Sequence, residues 1–98
     1  MPQTIALELC KAYQAKRTSD PTLERSTIFK HLLWARLDGR MVMDAEIDRM
    51  ALEAKTLFDL TILLVQQLKP QFQDPTLNKA LRTQLKRYFD LNMPDGLK

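Results

Sequence analysis

Between Asp44 and Leu68, apolar residues recur every three or four positions: Ile47, Met50 and Ala51, Ala54, Leu57 and Phe58, Leu64 and Val65, then Leu68, with Thr61 the one polar member of the series. That spacing holds them on one face of an α-helix and does not fit a strand, whose side chains alternate with a period of two. No proline or glycine falls inside the stretch, and Pro70 stops it. Asp44, Glu46 and Asp48 crowd the first turns, where the helix dipole favours negative charge. The pattern predicts one helix of about 25 residues, some 37 Å long at about 1.5 Å per residue. The rest of the chain must be arranged around it.

Three other helices follow from the same count. The first runs from about Gln3 to Arg17, with Ile5, Ala6, Leu9, Cys10, Ala12 and Tyr13 inward and Glu8, Lys11 and Gln14 outward. The second starts at Asp20-Pro21 and ends at Asp38-Gly39. Aspartate accepts hydrogen bonds from the orphan N–H groups of a helix start, proline fits the first turn, and glycine suits the residue just past the end. The last starts at Asp74-Pro75 and runs to about Leu91, before Pro94, with Leu77, Ala80, Leu81, Leu85 and Tyr88 inward. The tetrapeptide Asp-Pro-Thr-Leu thus opens two helices, at 20–23 and 74–77. Beyond it the two segments differ: Ile28, Phe29 and Leu32 stand where Arg82, Thr83 and Lys86 stand, which favours shared helix-start chemistry over duplication. With 98 residues, 45% of them hydrophobic, and no linker-like tract, the expectation is a single all-α domain over 1–98: a four-helix bundle built from two helical hairpins, its third helix long.

A helix of about 37 Å overhangs neighbours of about 22–26 Å, and its second side is also apolar. Leu52, Leu60 and Leu63 lie there with Thr56 and Gln67. The second helix is likewise two-sided, with Ile28, Leu32 and Ala35 on one side and Leu23, Trp34 and Leu37 on another. A helix apolar on both sides is buried on both sides. Irregular packing inside one monomer could cover both faces; the sharper expectation is a homodimer, with Leu52, Leu60 and Leu63 as the dimer or partner interface.

Chemistry for catalysis is sparse. Cys10, the only cysteine, sits on an apolar helix face, and His31 is the only histidine, so no internal disulfide, multi-cysteine metal site or paired-histidine site can be built. The loop LDGRMVMDAE (37–46) superficially suggests an EF-hand. With Gly39 at the sixth position, however, Trp34 and Arg36 take the first and third ligand positions and Ala45 the twelfth, so calcium has no site. No glycine-rich phosphate loop occurs. No enzyme, cofactor, metal or small-molecule substrate is expected. The longest apolar run, Leu60 to Val65, is far short of the roughly 20 residues that span a bilayer, and the first residues read as an amphipathic helix instead of a signal peptide. The expected address is cytoplasmic, with no membrane partner.

Net charge is +3, distributed as +3 over 1–40, −3 over 41–68 and +3 over 69–98. An acidic centre between basic flanks weakens overall basicity as a sign of nucleic acid. One basic feature stands out: Lys79, Arg82 and Lys86 recur at spacings of three and four on the last helix, with Arg87 beside them and no acid between Pro75 and Phe89. That stripe suits an acidic partner or phosphates. The function expected from the sequence is therefore a non-enzymatic protein-protein interaction module: an adaptor, regulatory subunit or chaperone-like protein that offers apolar grooves to a helical partner. The alternative is a nucleic-acid-binding regulator that uses Lys79, Arg82, Lys86 and Arg87.

Overall fold

A computed structural model describes residues 2–37 and 42–93, and all its regular structure is helical: α1 (Pro2–Ser19), α2 (Arg25–Leu37), α3 (Asp44–Glu53), α4 (Leu57–Leu68), a 3-10 turn at Pro70–Gln73, and α5 (Pro75–Asn92). The all-helical expectation is met. The long third helix is not: it breaks at Ala54-Lys55-Thr56 into α3 and α4, giving five helices among the described residues instead of four. Gly39 and most of the preceding loop, including the 38–41 part of the apparent EF-hand, lie outside the described residues, as does Pro94.

The break is written in Thr56 and Asp59. Thr56 has extended backbone (φ −138°, ψ 166°) and its hydroxyl accepts a hydrogen bond from the Asp59 N–H at 3.1 Å. The Asp59 carboxylate in turn accepts from the Lys55 N–H at 3.0 Å. This reciprocal pair is a capping box, shifted by one residue on its return arm. It satisfies backbone donors that a helix start leaves unpaired, so the chain can stop and restart without orphaned groups. Restarting also removes the overhang, because α3 is free to turn and pack on α2 while α4 packs on α1, α2, α3 and α5.

α4 is the centre of the molecule. Leu57, Leu60, Thr61, Ile62, Leu64 and Val65 are all buried, so nearly its whole circumference is covered. A helix apolar all round has to be surrounded, and α4 is. Thr61, the one buried polar side chain among the described residues, donates to the Leu57 carbonyl at 2.7 Å and needs no other partner. Around it, α1 contributes Ala6, Leu9 and Cys10; α2 contributes Ile28, Phe29, Leu32, Leu33 and Leu37; α3 contributes Ile47, Met50 and Ala51; and α5 contributes Leu81, Leu85 and Phe89. Phe58 meets Phe89 edge to face, with centroids 5.6 Å apart and an interplanar angle of 87°, which anchors the C-terminal half of α5 to the start of α4. The two-sidedness read in α2 is a broad core face: Leu37 is buried, Leu23 is partly buried, and Trp34 stays 40% exposed.

The first Asp-Pro-Thr-Leu does not start α2. Asp20 accepts from the Thr22 N–H and hydroxyl, and the Leu23 N–H bonds the Asp20 carbonyl at 3.2 Å, closing a turn; α2 begins only at Arg25. Arg17 holds this turn against α1. Its guanidinium donates to the Pro21 and Leu23 carbonyls and to the Tyr13 hydroxyl, and it lies 5.5 Å from the Tyr13 ring centre. With its carbonyls captured, the segment is fixed as a turn before the helix can propagate.

Candidate functional site

The second Asp-Pro-Thr-Leu does start a helix, and that start sets the register of the basic stripe. Asp74 accepts from the N–H groups of Thr76 and Leu77, both at 3.1 Å, and Pro75 takes the first helical position. Asn78 donates to the Phe72 carbonyl at 3.1 Å and accepts from Arg82 Nε at 2.9 Å, so the 3-10 turn, the first turn of α5 and one stripe arginine are linked in sequence. The 3-10 turn packs on both α4 and α5 and fixes the angle at which α5 leaves it.

From there α5 buries only a narrow stripe, Leu81, Leu85 and Phe89, spaced by four. This differs from the sequence expectation in two ways. Phe89 is core, whereas Leu77 is 42% exposed and Ala80 is exposed. The reason is geometric: Leu77 continues the row spaced by four, but each such step turns about 40° around the helix, which carries Leu77 about 80° from Leu85, to the edge of the side that meets α4. Lys79, Arg82, Lys86 and Arg87 are all exposed, and none lies within ion-pair distance of a carboxylate among the described residues. At about 100° per residue, Lys79, Arg82 and Lys86 share one flank of α5, and Leu77, Ala80, Gln84 and Leu91 share the other. Leu91 is 80% exposed.

The Leu52, Leu60, Leu63 face fares differently. Leu60 is fully buried in the core of the single chain, Leu63 is partly buried, and only Leu52, at 67% exposure, is on the surface. Their common face required a continuous helix, and the break at Thr56 puts Leu52 on α3 and the other two on α4. Leu60 is unavailable to a partner. Leu52 rims a shallow groove between α2 and α3 with Ser26, Thr27, Lys30, Asp48 and Ala51, and Lys30 pairs with Asp48 across it at 2.8 Å.

Charge on α3 is largely spent locally. Arg49 lies between Glu46 and Glu53, bonding both, and its hydrogen bonds hold the Glu46 carboxyl below the usual glutamate range. The acid-rich centre seen in the sequence is thus partly neutralised within one helix, while the cations of α5 have no such partners. Cys10 is buried, and burial pushes its thiol pKa up, away from nucleophilic use. His31 stacks on Trp34 with centroids 6.3 Å apart, and Lys30 Nζ sits 4.9 Å from the centre of the same indole. Among the described residues, no group of three or more His, Cys, Asp or Glu side chains is placed to hold a metal ion, and no helix is long and apolar enough to cross a membrane.

What sequence reasoning missed here is the exposed apolar flank of α5, above all Leu91. The spacing alone could not find it: Leu77 lies on the same four-residue row as Leu81, Leu85 and Phe89, and only the three nearest the core are buried. No protein-family model, curated protein or solved structure shows significant similarity to the chain.

Proposed function

We propose that this protein is a non-enzymatic interaction module, cytoplasmic and homodimeric, that binds an acidic helical segment of a protein partner along the cationic flank of α5. The observation that carries this reading is the contrast in how charge is used. Lys30 and Arg49 are engaged by Asp48, Glu46 and Glu53, whereas Lys79, Arg82, Lys86 and Arg87 project from an edge helix and form no ion pair among the described residues, although Asp90 lies one turn beyond Lys86 and Arg87. Lining up Lys79, Arg82 and Lys86 at spacings of three and four on one helix costs stability, and an acidic partner relieves that cost on binding.

A nucleic-acid partner is the second reading, favoured by the same four residues. It is the weaker one because the row from Lys79 to Arg87 spans only about 12 Å. Three or four phosphate contacts give non-specific affinity, a Kd of roughly 10⁻⁴ to 10⁻⁶ M near physiological salt. Near the stripe's exposed cations Phe89 is buried and Tyr88 and Phe58 are partly buried, so among the described residues no fully exposed ring offers an open platform for stacking bases. The test is capture from nuclease-treated native extract by wild type and by the Lys79→Glu, Arg82→Glu, Lys86→Glu triple variant. Nuclease-resistant capture that the triple variant loses, with helicity unchanged, is the expected result. Tight duplex binding with a log-log salt slope falling by about 0.9 per reversed charge would instead establish the nucleic-acid reading.

A further inference from the structure

Beside the basic stripe, the start of α4 and the C-terminal half of α5 enclose a cleft of about 210 Å³ lined by Thr56, Phe58, Lys86, Phe89 and Asp90. It lies where α4 restarts: Thr56 caps the helix, and Phe58 in its first turn meets Phe89 edge to face. Phe89 is buried and Phe58 partly buried, so two rings give the cleft an apolar floor. Its rim is charged. Lys86 and Asp90 are both exposed and stand four residues apart on one helix, yet neither forms an ion pair among the described residues. At about 100° per residue Arg82 lies roughly 20°, Lys86 roughly 60° and Lys79 roughly 80° around α5 from Phe89, all in the same sense. The three cations therefore run along the flank that leads into the cleft.

Size and charge together select an occupant. Sites for small organic ligands run from about 300 to 1,000 Å³, larger than this cleft, whereas an apolar cavity of about 150 Å³ takes one benzene ring. The cleft is on the scale of a single apolar side chain. We propose that it takes one leucine or phenylalanine of the acidic segment, whose carboxylates lie along Lys79, Arg82 and Lys86. The proposal rests on the acidic-segment reading and narrows its partner to acids followed by an apolar anchor. In helix-in-groove recognition a few anchors in pockets supply most of the affinity, while the surrounding charges steer and orient the partner. Asp90 adds a directional rule. A carboxylate placed beyond the anchor meets the Asp90 carboxylate and is repelled, so the partner's acids lie on the Lys86 side of the cleft.

The test is an NMR titration of the full chain with a synthetic helical peptide that carries three glutamates at spacings of three and four and one leucine a turn beyond them. A second peptide has alanine in place of that leucine, and both are made in either sequence direction, so that a parallel and an antiparallel partner helix are covered. The leucine peptide should bind about tenfold or more tightly than the alanine peptide, and its titration should move the Phe58 and Phe89 amide signals. Lys86→Glu should weaken both peptides with the circular dichroism spectrum unchanged. Equal affinities that Lys86→Glu still weakens would remove the anchor cleft and leave the acidic-segment reading standing. A leucine preference whose shifts fall on another surface would also remove the cleft. No binding of either peptide up to about 1 mM would remove both readings. A single-stranded oligothymidine that moves the same amides at lower concentration than the leucine peptide would reassign the cleft to bases.

Discussion

Replacing Thr56 with alanine separates a broken helix from a continuous one by the sign of its effect. In the structure Thr56 is the N-cap of α4: its hydroxyl accepts the Asp59 N–H at 3.1 Å, and the Asp59 carboxylate accepts the Lys55 N–H. Removing an N-cap hydroxyl costs about 1 kcal/mol, within a range of roughly 0.5–2. If residues 44–68 formed one helix, position 56 would be interior, and threonine to alanine would gain a few tenths of a kcal/mol from helix propensity. The two architectures therefore predict opposite shifts. Urea denaturation followed by helicity reads the difference directly. At a slope of about 1–3 kcal/mol/M, a loss of about 1 kcal/mol lowers the midpoint by roughly 0.3–1 M with the slope unchanged. Asp59→Ala should lower it by a comparable amount, since it removes the return bond and a negative charge in the first turn. The two losses should sum to more than the double variant shows, because each partner's bond helps hold the other in place. A midpoint that stays put or rises in Thr56→Ala would refute the capping argument.

Other expectations follow from burial and hydrogen bonding. Leu60→Ala should cost about 2–5 kcal/mol by chemical denaturation, while Leu52→Ala, at a 67% exposed site, should change stability by no more than about 0.5 kcal/mol. Cys10→Ala should cost about 1 kcal/mol, and the native thiol should react with a thiol reagent far more slowly than the unfolded chain, since burial both shields it and raises its pKa. Arg17→Lys should lose most of what Arg17→Ala loses, about 1 kcal/mol in a thermal or urea melt, because an ammonium cannot reach the Tyr13 hydroxyl and two carbonyls together. Asp20, whose carboxyl is lowered first by the Thr22 hydroxyl, contributes stability that is fully present above the ordinary aspartate value of 3.8 and is lost as pH falls through its lower folded value. Asp20→Asn should flatten that part of an acid titration of stability.

Periodicity was enough to identify the helical class, the inward face of α1 and the start of α3 at Asp44; on α2 it found Ile28, Leu32 and Leu37 but also took in Trp34 and Ala35, which are exposed, and did not single out the buried Leu33. It was not enough to find the break inside the longest pattern. A stripe that alternates threes and fours continues smoothly from Ala54 to Leu57, and periodicity alone has no term for a helix that ends and restarts in phase. The information was present in Thr56 and Asp59, two residues whose capping role outweighs the propensity of the apolar run around them. Missing that break is also what made Leu52, Leu60 and Leu63 look like one face. The basic stripe was legible because exposure of lysine and arginine follows from charge, whatever the exact inward row. The exposed leucines of α5 were not, because which leucines a helix buries depends on the neighbour it meets.

The two Asp-Pro-Thr-Leu segments show where that dependence begins. Both make the same local bond, from the threonine N–H to the aspartate carboxylate at 3.1 Å. They diverge at the leucine N–H: in the second copy it joins the same Asp74 carboxylate, and in the first it turns to the Asp20 backbone carbonyl. The four residues are identical, so the choice comes from what surrounds them. Before the second copy lies a 3-10 turn packed on α4 and α5, with Asn78 bonded back to Phe72, which leaves the helix direction free to propagate. Before the first lies the end of α1, where Arg17 captures the carbonyls of Pro21 and Leu23. Those bonds tie the Pro21 and Leu23 carbonyls to a side chain of α1, which supports the turn geometry over a helix start there. The tetrapeptide encodes a turn, and its surroundings, Arg17 before the first copy and the 3-10 turn with Asn78 around the second, go with whether that turn becomes a helix.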